Sequence, residues 1–229
     1  MIIGNGLIAV RFEKYSDNEN FIIFASGVSN SKNTDPAAYE RERNLLLATM
    51  LQHTTKTLVY FSTCSINDPE EKDSMYVLHK KSLEELIQKT QANYHIFRVS
   101  NLVGKTSNQN TILNFFIQHI NNGDHFNLWT GAVRNLIDVD DMYAIADHIL
   151  TKSLFRNSII NIANPESYKV TAIVNAIEST SKLKANCTLI QKGEIFNIDT
   201  SLITPIINKL HLSFGKDYLF NLLSKYYYH

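Results

Sequence analysis

Four short stretches govern what this chain can fold into: "FIIFA" (21–25), "TLVYFS" (57–62), "YHIFRVS" (94–100) and "SIINIA" (158–163). Each is a bounded apolar run rather than an in/out alternation, which is how a strand buried on both faces reads. Helical patterns lie between and after them: "DPAAYERERNLLLATMLQ", the stretch around Tyr76 and Lys80, "NTILNFFIQHINNG", "DDMYAIADHILTKS" and "VTAIVNAIESTS". "FNLWTG" and "RNLIDV" read as further short strands. Strands that alternate with helices need crossover connections, so the expected architecture is a parallel sheet covered by helices on both faces. Asp35 can cap its helix, with Pro36 in the first turn. Asp140 and Asp141 are expected to cap the helix they open, and "YYYH" at the end to fray or dock.

The chain starts with a short apolar segment followed by "GNGLIA" (Gly4 to Ala9) and a helical stretch, Leu7 to Tyr15. This is the G-x-G-x-x-A pattern in a strand–turn–helix setting. Gly4 permits the tight turn, Gly6 the approach of a pyrophosphate to the helix N-terminus, and Ala9 close helix–sheet packing. The acidic residue that usually binds the ribose about 20 positions later is missing. That place reads Phe24, Ala25, Ser26, Gly27.

Formal net charge is zero, which gives no basic field for nucleic acid or an anionic membrane. No apolar run approaches a membrane span, and "MIIGNGLIAV" lacks the basic start of a signal peptide. A cytoplasmic protein with Cys64 and Cys187 as free thiols is expected. The histidines are scattered and the Asp138–Asp140–Asp141 stretch has too few ligands for calcium, so no metal site is expected.

Tyr76 and Lys80 lie one helical turn apart. With 11 tyrosines and 16 lysines in 229 residues, chance alone yields about one such pair, so it carries meaning only if other residues build a site around it. His79 reads as a solvated helix residue.

Those other residues occur in order: "GNGLIA", "FASGVSN", "VYFSTCS", "YVLHK", "FRVSNLVGK" and "RNLIDVDD". Together they resemble the extended short-chain dehydrogenase/reductase superfamily, in particular its nucleotide-sugar epimerases, dehydratases and reductases. The resemblance runs from Met1 to about Asn164. It implies a Rossmann-like, doubly wound α/β fold with a small C-terminal substrate-binding part. On that reading residues 1–229 form one unit, with 1–125 as core and 126–229 as a mixed segment that completes it and contributes to substrate binding. It further implies that Tyr76 is the acid/base, that Lys80 binds the nicotinamide ribose and favours the tyrosinate, and that Thr63 hydrogen-bonds the reacting sugar oxygen. Gly4, Asn5, Gly6, Leu7, Ile8, Ala25, Ser26, Gly27 and Ser100 would hold the cofactor. Asn101 would lie beside nicotinamide and sugar, and Arg134 would clasp the substrate diphosphate, a task suited to its planar fork; an ion pair of Arg134 with Asp138 or Asp140 is the structural alternative.

Two departures stand out. Only "YSDNEN" separates the glycine-loop helix from "FIIFASG", where the family carries two further strands and a helix, so a sheet of about five or six strands, truncated on the cofactor side, is expected. The family's 4,6-dehydratases carry Asp-Glu after the catalytic Thr; here Cys64-Ser65 follow, which disfavours elimination. The resemblance therefore implies NAD(P)-dependent reduction or epimerisation of a nucleotide-linked sugar, as in surface-polysaccharide precursor synthesis. A degenerate, non-catalytic binder of a sugar nucleotide or a partner is the alternative. The cofactor is NAD or NADP, with a modest preference for NADP: no carboxylate lies near position 24, whereas the donors of "SGVSNSK", with Lys32, could hold a phosphate. A homodimer through the helices at 35–53 and 75–92 is also implied.

Overall fold

A computed structural model describes residues 1–228. In chain order the elements are β1 (Ile2–Ile3), α1 (Leu7–Arg11), β2 (Phe21–Phe24), α2 (Pro36–Gln52), β3 (Thr57–Thr63), α3 (Met75–Thr90), β4 (Tyr94–Val99), β5 (Asn101–Val103), α4 (Ile112–Asn122), β6 (Phe126–Trp129), β7 (Val133–Arg134), β8 (Leu136–Asp138), α5 (Val139–Thr151), β9 (Ser158–Ile162), β10 (Tyr168–Lys169), α6 (Val170–Ser181), β11 (Cys187–Ile190), α7 (Thr204–Lys209) and α8 (Tyr218–Tyr226).

The four apolar runs form four of the five strands of one parallel sheet of order β1-β2-β3-β4-β9. Its register places Ile2 beside Ile23, Phe21 beside Thr57, Leu58 beside Tyr94 and His95 beside Ser158. Side chains alternate across the sheet, and both faces are apolar. Ile22, Phe24, Leu58, Tyr60 and Ile96 pack against Leu46 and Met50 of α2 and Leu83 and Ile87 of α3. Ile23, Val59, Phe61, Phe97 and Ile160 face the other way, onto Phe12 and onto Leu113, Met142, Ile145 and Ile173 of α4, α5 and α6. The doubly wound architecture follows from that two-sided burial.

The sheet ends at β1, the strand that feeds the glycine loop. It is five-stranded and short on the glycine-loop side. Three further two-stranded pairs stand apart from it: β5 with β8 and β6 with β11, both parallel, and the antiparallel β7 with β10.

Two local expectations are corrected. The helix expected from Leu7 to Tyr15 stops at Arg11, and a 3₁₀ turn spans Glu13–Tyr15. Tightening there buries Phe12 edge-on to Phe61 and Tyr143 and brings Tyr15 against Phe21. The cap of α5 is Asp138, whose carboxylate accepts the Asp140 N–H at 2.8 Å; Asp140 instead pairs with Arg11 and Lys225. Of the two outcomes expected for the C-terminal tyrosines, docking is the one observed: Tyr226 donates to Asp138 at 2.7 Å, and upstream Tyr218 donates to Asp141 at 2.7 Å while accepting the Asp138 N–H. His229 lies outside the described residues.

Gly4 has φ +122°, and a Cβ there would stand 2.4 Å from the Ala25 carbonyl oxygen. The glycine loop thus touches the end of β2 with no room for a side chain. Gly4→Ala should destabilise the fold by roughly 1–3 kcal/mol from backbone conformation alone, with the steric contact adding to it. Thermal unfolding of the variant checks this; an unchanged midpoint would contradict the tight turn.

Candidate active site

β1, β2, β3 and β4 all end at the same edge of the sheet, where ligands bind in open α/β folds. A cavity of about 680 Å³ opens there. Asn5, Gly6, Leu7 and Ile8 line it from the loop and first turn of α1, and Ala25, Ser26 and Gly27 from the segment after β2. Thr63 comes from the end of β3, Tyr76 and Lys80 from α3, and Ser100 and Asn101 from the end of β4. Two of the residues anticipated from sequence stand outside the lining. Gly4 packs against the Ala25 carbonyl instead. Arg134 is half-buried on β7, where its guanidinium donates to the Val133 carbonyl at 2.7 Å and makes no ion pair with Asp138 or Asp140.

α3 presents Tyr76 and Lys80 because Ser74 caps it, accepting the Val77 N–H, and because Val77, Leu83 and Ile87 bury its inner face. That face also carries two charges, each matched. Glu84 makes a two-point pair with Arg98, at 2.9 and 2.6 Å. Lys80, only 3% exposed, donates to Glu42 of α2 at 2.8 Å, to the Tyr60 hydroxyl at 3.1 Å and to the Phe61 carbonyl at 3.4 Å. Its ammonium lies 5.9 Å from the centre of the Tyr76 ring. His79, expected to be solvated, packs on Tyr39 and stands 3.2 Å from Glu42, because the wholly buried carboxylate draws donors to it.

Burial alone would raise the Glu42 carboxyl, but the Lys80 charge and the hydrogen bonds from His79, Lys80 and Val28 outweigh it and hold the group at about 2. The folded value lies below the ordinary 4.5, so the stabilisation is complete above pH 4.5 and is lost as pH falls from there toward 2. Chemical denaturation across that window should show stability falling, and less steeply when Glu42 and Lys80 are replaced together by Gln and Met. An equal slope in that double variant would contradict the assignment.

Thr63 Oγ1 accepts the Ser65 N–H at 3.0 Å, which leaves its own O–H free to donate. Cys64 beside it is buried against the Arg98 carbonyl, and burial pushes its thiol up to about 12. Both cysteines are free. Among the described residues no acidic side chain lines the cavity, whereas Lys80 and Arg41 do. Arg41, an exposed residue of α2 that donates to Ser26 at 3.3 Å, gave no sign of this role in the sequence. Neither did Ser62 or Asn135. Asn135 is a buried peg: its side chain donates to the Asn164 and Glu166 carbonyls and accepts the Asn164 N–H, and its carbonyl receives Asn101. The hydroxyls of Ser62 and Ser100 are buried in the cavity wall without a protein partner. A polar ligand would satisfy both, and with the open space beside Gly6 at the α1 N-terminus the cavity fits a dinucleotide's polar groups. Among the described residues there is no group of side chains that could hold a metal ion, and no helix long and apolar enough to cross a membrane.

Solved structures share the architecture. A UDP-N-acetylglucosamine 4-epimerase from Methanobrevibacter ruminantium, in complex with UDP-N-acetylmuramic acid, superposes with a TM-score of 0.68 at 16% identity, over 97% of this chain and 80% of that one. The Bordetella bronchiseptica enzyme WbmG, in complex with NAD, gives 0.66 at 14% identity, over 96% and 77%. RMD from Pseudomonas aeruginosa, complexed with NADPH, gives 0.63 at 14% identity, over 78% and 70%. No curated protein is significantly similar in sequence. The family model described as the NAD dependent epimerase/dehydratase family matches residues 20–163, well over half of the chain and spanning β2 to β9; with the glycine loop, the five-stranded parallel sheet and the cavity at its carboxyl edge, the chain belongs to that family.

Proposed function

We propose that the protein is an NAD(P)-dependent enzyme that epimerises or reduces a nucleotide-linked sugar, with Tyr76 as acid/base. The observation that carries this reading is the convergence of Thr63, Tyr76 and Lys80 with the glycine-loop residues on one cavity. The absence of any acidic side chain from the described lining suits two diphosphate-bearing ligands, and the neighbours in complex with UDP-N-acetylmuramic acid, NAD and NADPH carry ligands of that kind.

On this reading the segments Asn5–Ile8 and Ala25–Gly27, with Lys80 and Ser100, hold the cofactor. When bound, nicotinamide supplies the hydride exchange. The chain itself moves the proton. Thr63, its acceptor lone pair engaged by Ser65, donates to the reacting sugar oxygen and places it for Tyr76. Tyr76 takes the hydroxyl proton as the carbon is oxidised, and returns it on reduction. Lys80 keeps a positive charge beside the phenol, and its longest bond, 3.4 Å to the Phe61 carbonyl, is the one most easily exchanged for a ribose hydroxyl. Asn101 flanks the sugar, and Arg134, outside the cavity lining but adjacent in sequence to its Asn135, serves the substrate diphosphate. Dehydration is the less supported chemistry: Cys64 is held as a buried neutral thiol and Ser65 is no acid.

Arg41 on the cavity rim supports a modest preference for NADP, since a guanidinium there favours an additional phosphate. Leu51, Met75 and Leu78 are exposed on α2 and α3, which supports pairing of two copies through those helices; light scattering at micromolar concentration should give twice the chain mass. The activity is tested by incubating the protein with NAD(P)⁺ or NAD(P)H and a panel of UDP-, GDP-, CDP- and dTDP-sugars, followed by NMR and by the absorbance of reduced nicotinamide. An epimer or a consumed reduced cofactor with one sugar class is expected. Saturable sugar-nucleotide binding without turnover on any cofactor would instead support a non-catalytic binder.

A further inference from the structure

We propose that Glu42 is a positioning residue for this reaction, holding the Lys80 ammonium at a fixed place under the cofactor-side loop. The inference rests on the enzyme reading above and adds a residue that reading does not contain. Glu42 is absent from the cavity wall and wholly buried, so it acts only through its neighbours. One carboxylate oxygen accepts Lys80 Nζ at 2.8 Å and the Tyr60 hydroxyl at 2.9 Å; the other accepts the Val28 N–H at 2.9 Å and stands 3.2 Å from His79 Nε2. A single side chain of α2 thereby joins β3, α3 and the segment after β2.

The space is made for this pair. A Cβ on Gly27 would stand 2.7 Å from Lys80 Nζ and 3.1 Å from Glu42 Oε1, so a side chain there would push the two charged ends aside, and glycine lets the loop close over them as they are placed. A lysine whose side chain is 3% exposed has no reason to keep its ammonium buried without an anion. Freed of Glu42, the flexible stem of Lys80 would carry its charge toward the open cavity, and Val28 would lose its anchor. Glu42 thus sets both the location of the ammonium and the conformation of the loop that lines the cofactor side.

The test compares wild type, Glu42→Gln, Glu42→Asp, Lys80→Met and the Gln/Met double variant, reading kcat, cofactor Kd and the thermal midpoint of each. Misplacement of Lys80 should lower kcat of Glu42→Gln by roughly 10- to 100-fold and weaken cofactor binding, with Glu42→Asp partly restoring both. The double variant should match Lys80→Met in kcat and Kd, because Glu42 has nothing left to position. A merely structural role would lower activity equally in both backgrounds. If Glu42→Gln fails to fold, the comparison of the double variant with Lys80→Met still decides, since the double leaves neither charge unpaired. Glu42→Gln equal to wild type, or a double variant well below Lys80→Met, would overturn the role while leaving the enzyme reading intact. A wild-type protein with no turnover and no cofactor binding would overturn the enzyme reading, and the role with it.

Discussion

Tyr76→Phe should lower turnover by about 10²- to 10⁴-fold, the usual contribution of one positioned acid/base, while cofactor affinity stays within about twofold of wild type. The substitution removes a single oxygen from a half-buried ring on α3, and Ser74, Val77, Leu83 and Ile87 hold the helix without it. The thermal midpoint should therefore be unchanged. Steady-state kinetics on the sugar that wild type turns over, with calorimetry for the cofactor, checks both halves. A Phe variant that works at the wild-type rate would remove Tyr76 from the mechanism.

Lys80→Met should destabilise the protein by about 3–5 kcal/mol, the cost of leaving one member of a buried ion pair behind. For a chain of this length that corresponds to a drop of roughly 6–20 °C in the thermal midpoint. Methionine fills the stem of lysine but leaves the fully buried Glu42 without its counter-charge; Val28, Tyr60 and His79 remain as its hydrogen-bond partners. Adding Glu42→Gln to Lys80→Met should recover much of the loss, because a buried pair replaced on both sides costs far less than one broken on one side. A midpoint for Lys80→Met within a degree or two of wild type would show that Lys80 is not committed to Glu42 in solution.

The central sheet was legible in the sequence because each of its four long strands is apolar on both faces, a pattern few other elements produce. The short link "YSDNEN" leaves room for no extra strand, and the sheet ends at β1 accordingly. The cavity residues were legible wherever a motif marks the end of a strand: "GNGLIA", "FASG", "VYFST", "RVSN". Glu42 was not. It lies in "ERER" (40–43), four charges in a row; three of them are exposed and one is buried without trace of exposed surface. Periodicity gives the helix but cannot say which charge finds a partner from another element. The same holds for Asp138, whose ion pair with Lys225 and hydrogen bond from Tyr226 come from far along the chain. β11 was missed because its residues are half-buried or exposed, leaving no apolar run to read. α7 and α8 bury their inner faces against α5 and α6, elements well separated from them in sequence.

If this shortened sheet still holds a working nicotinamide site, calorimetric titration of the wild-type protein with NADH and with NADPH should show it. Saturable, one-to-one binding of both reduced cofactors is expected, tighter for NADPH by a modest factor and weakened in Lys80→Met and Glu42→Gln. No heat of binding for either cofactor at millimolar concentration would contradict it.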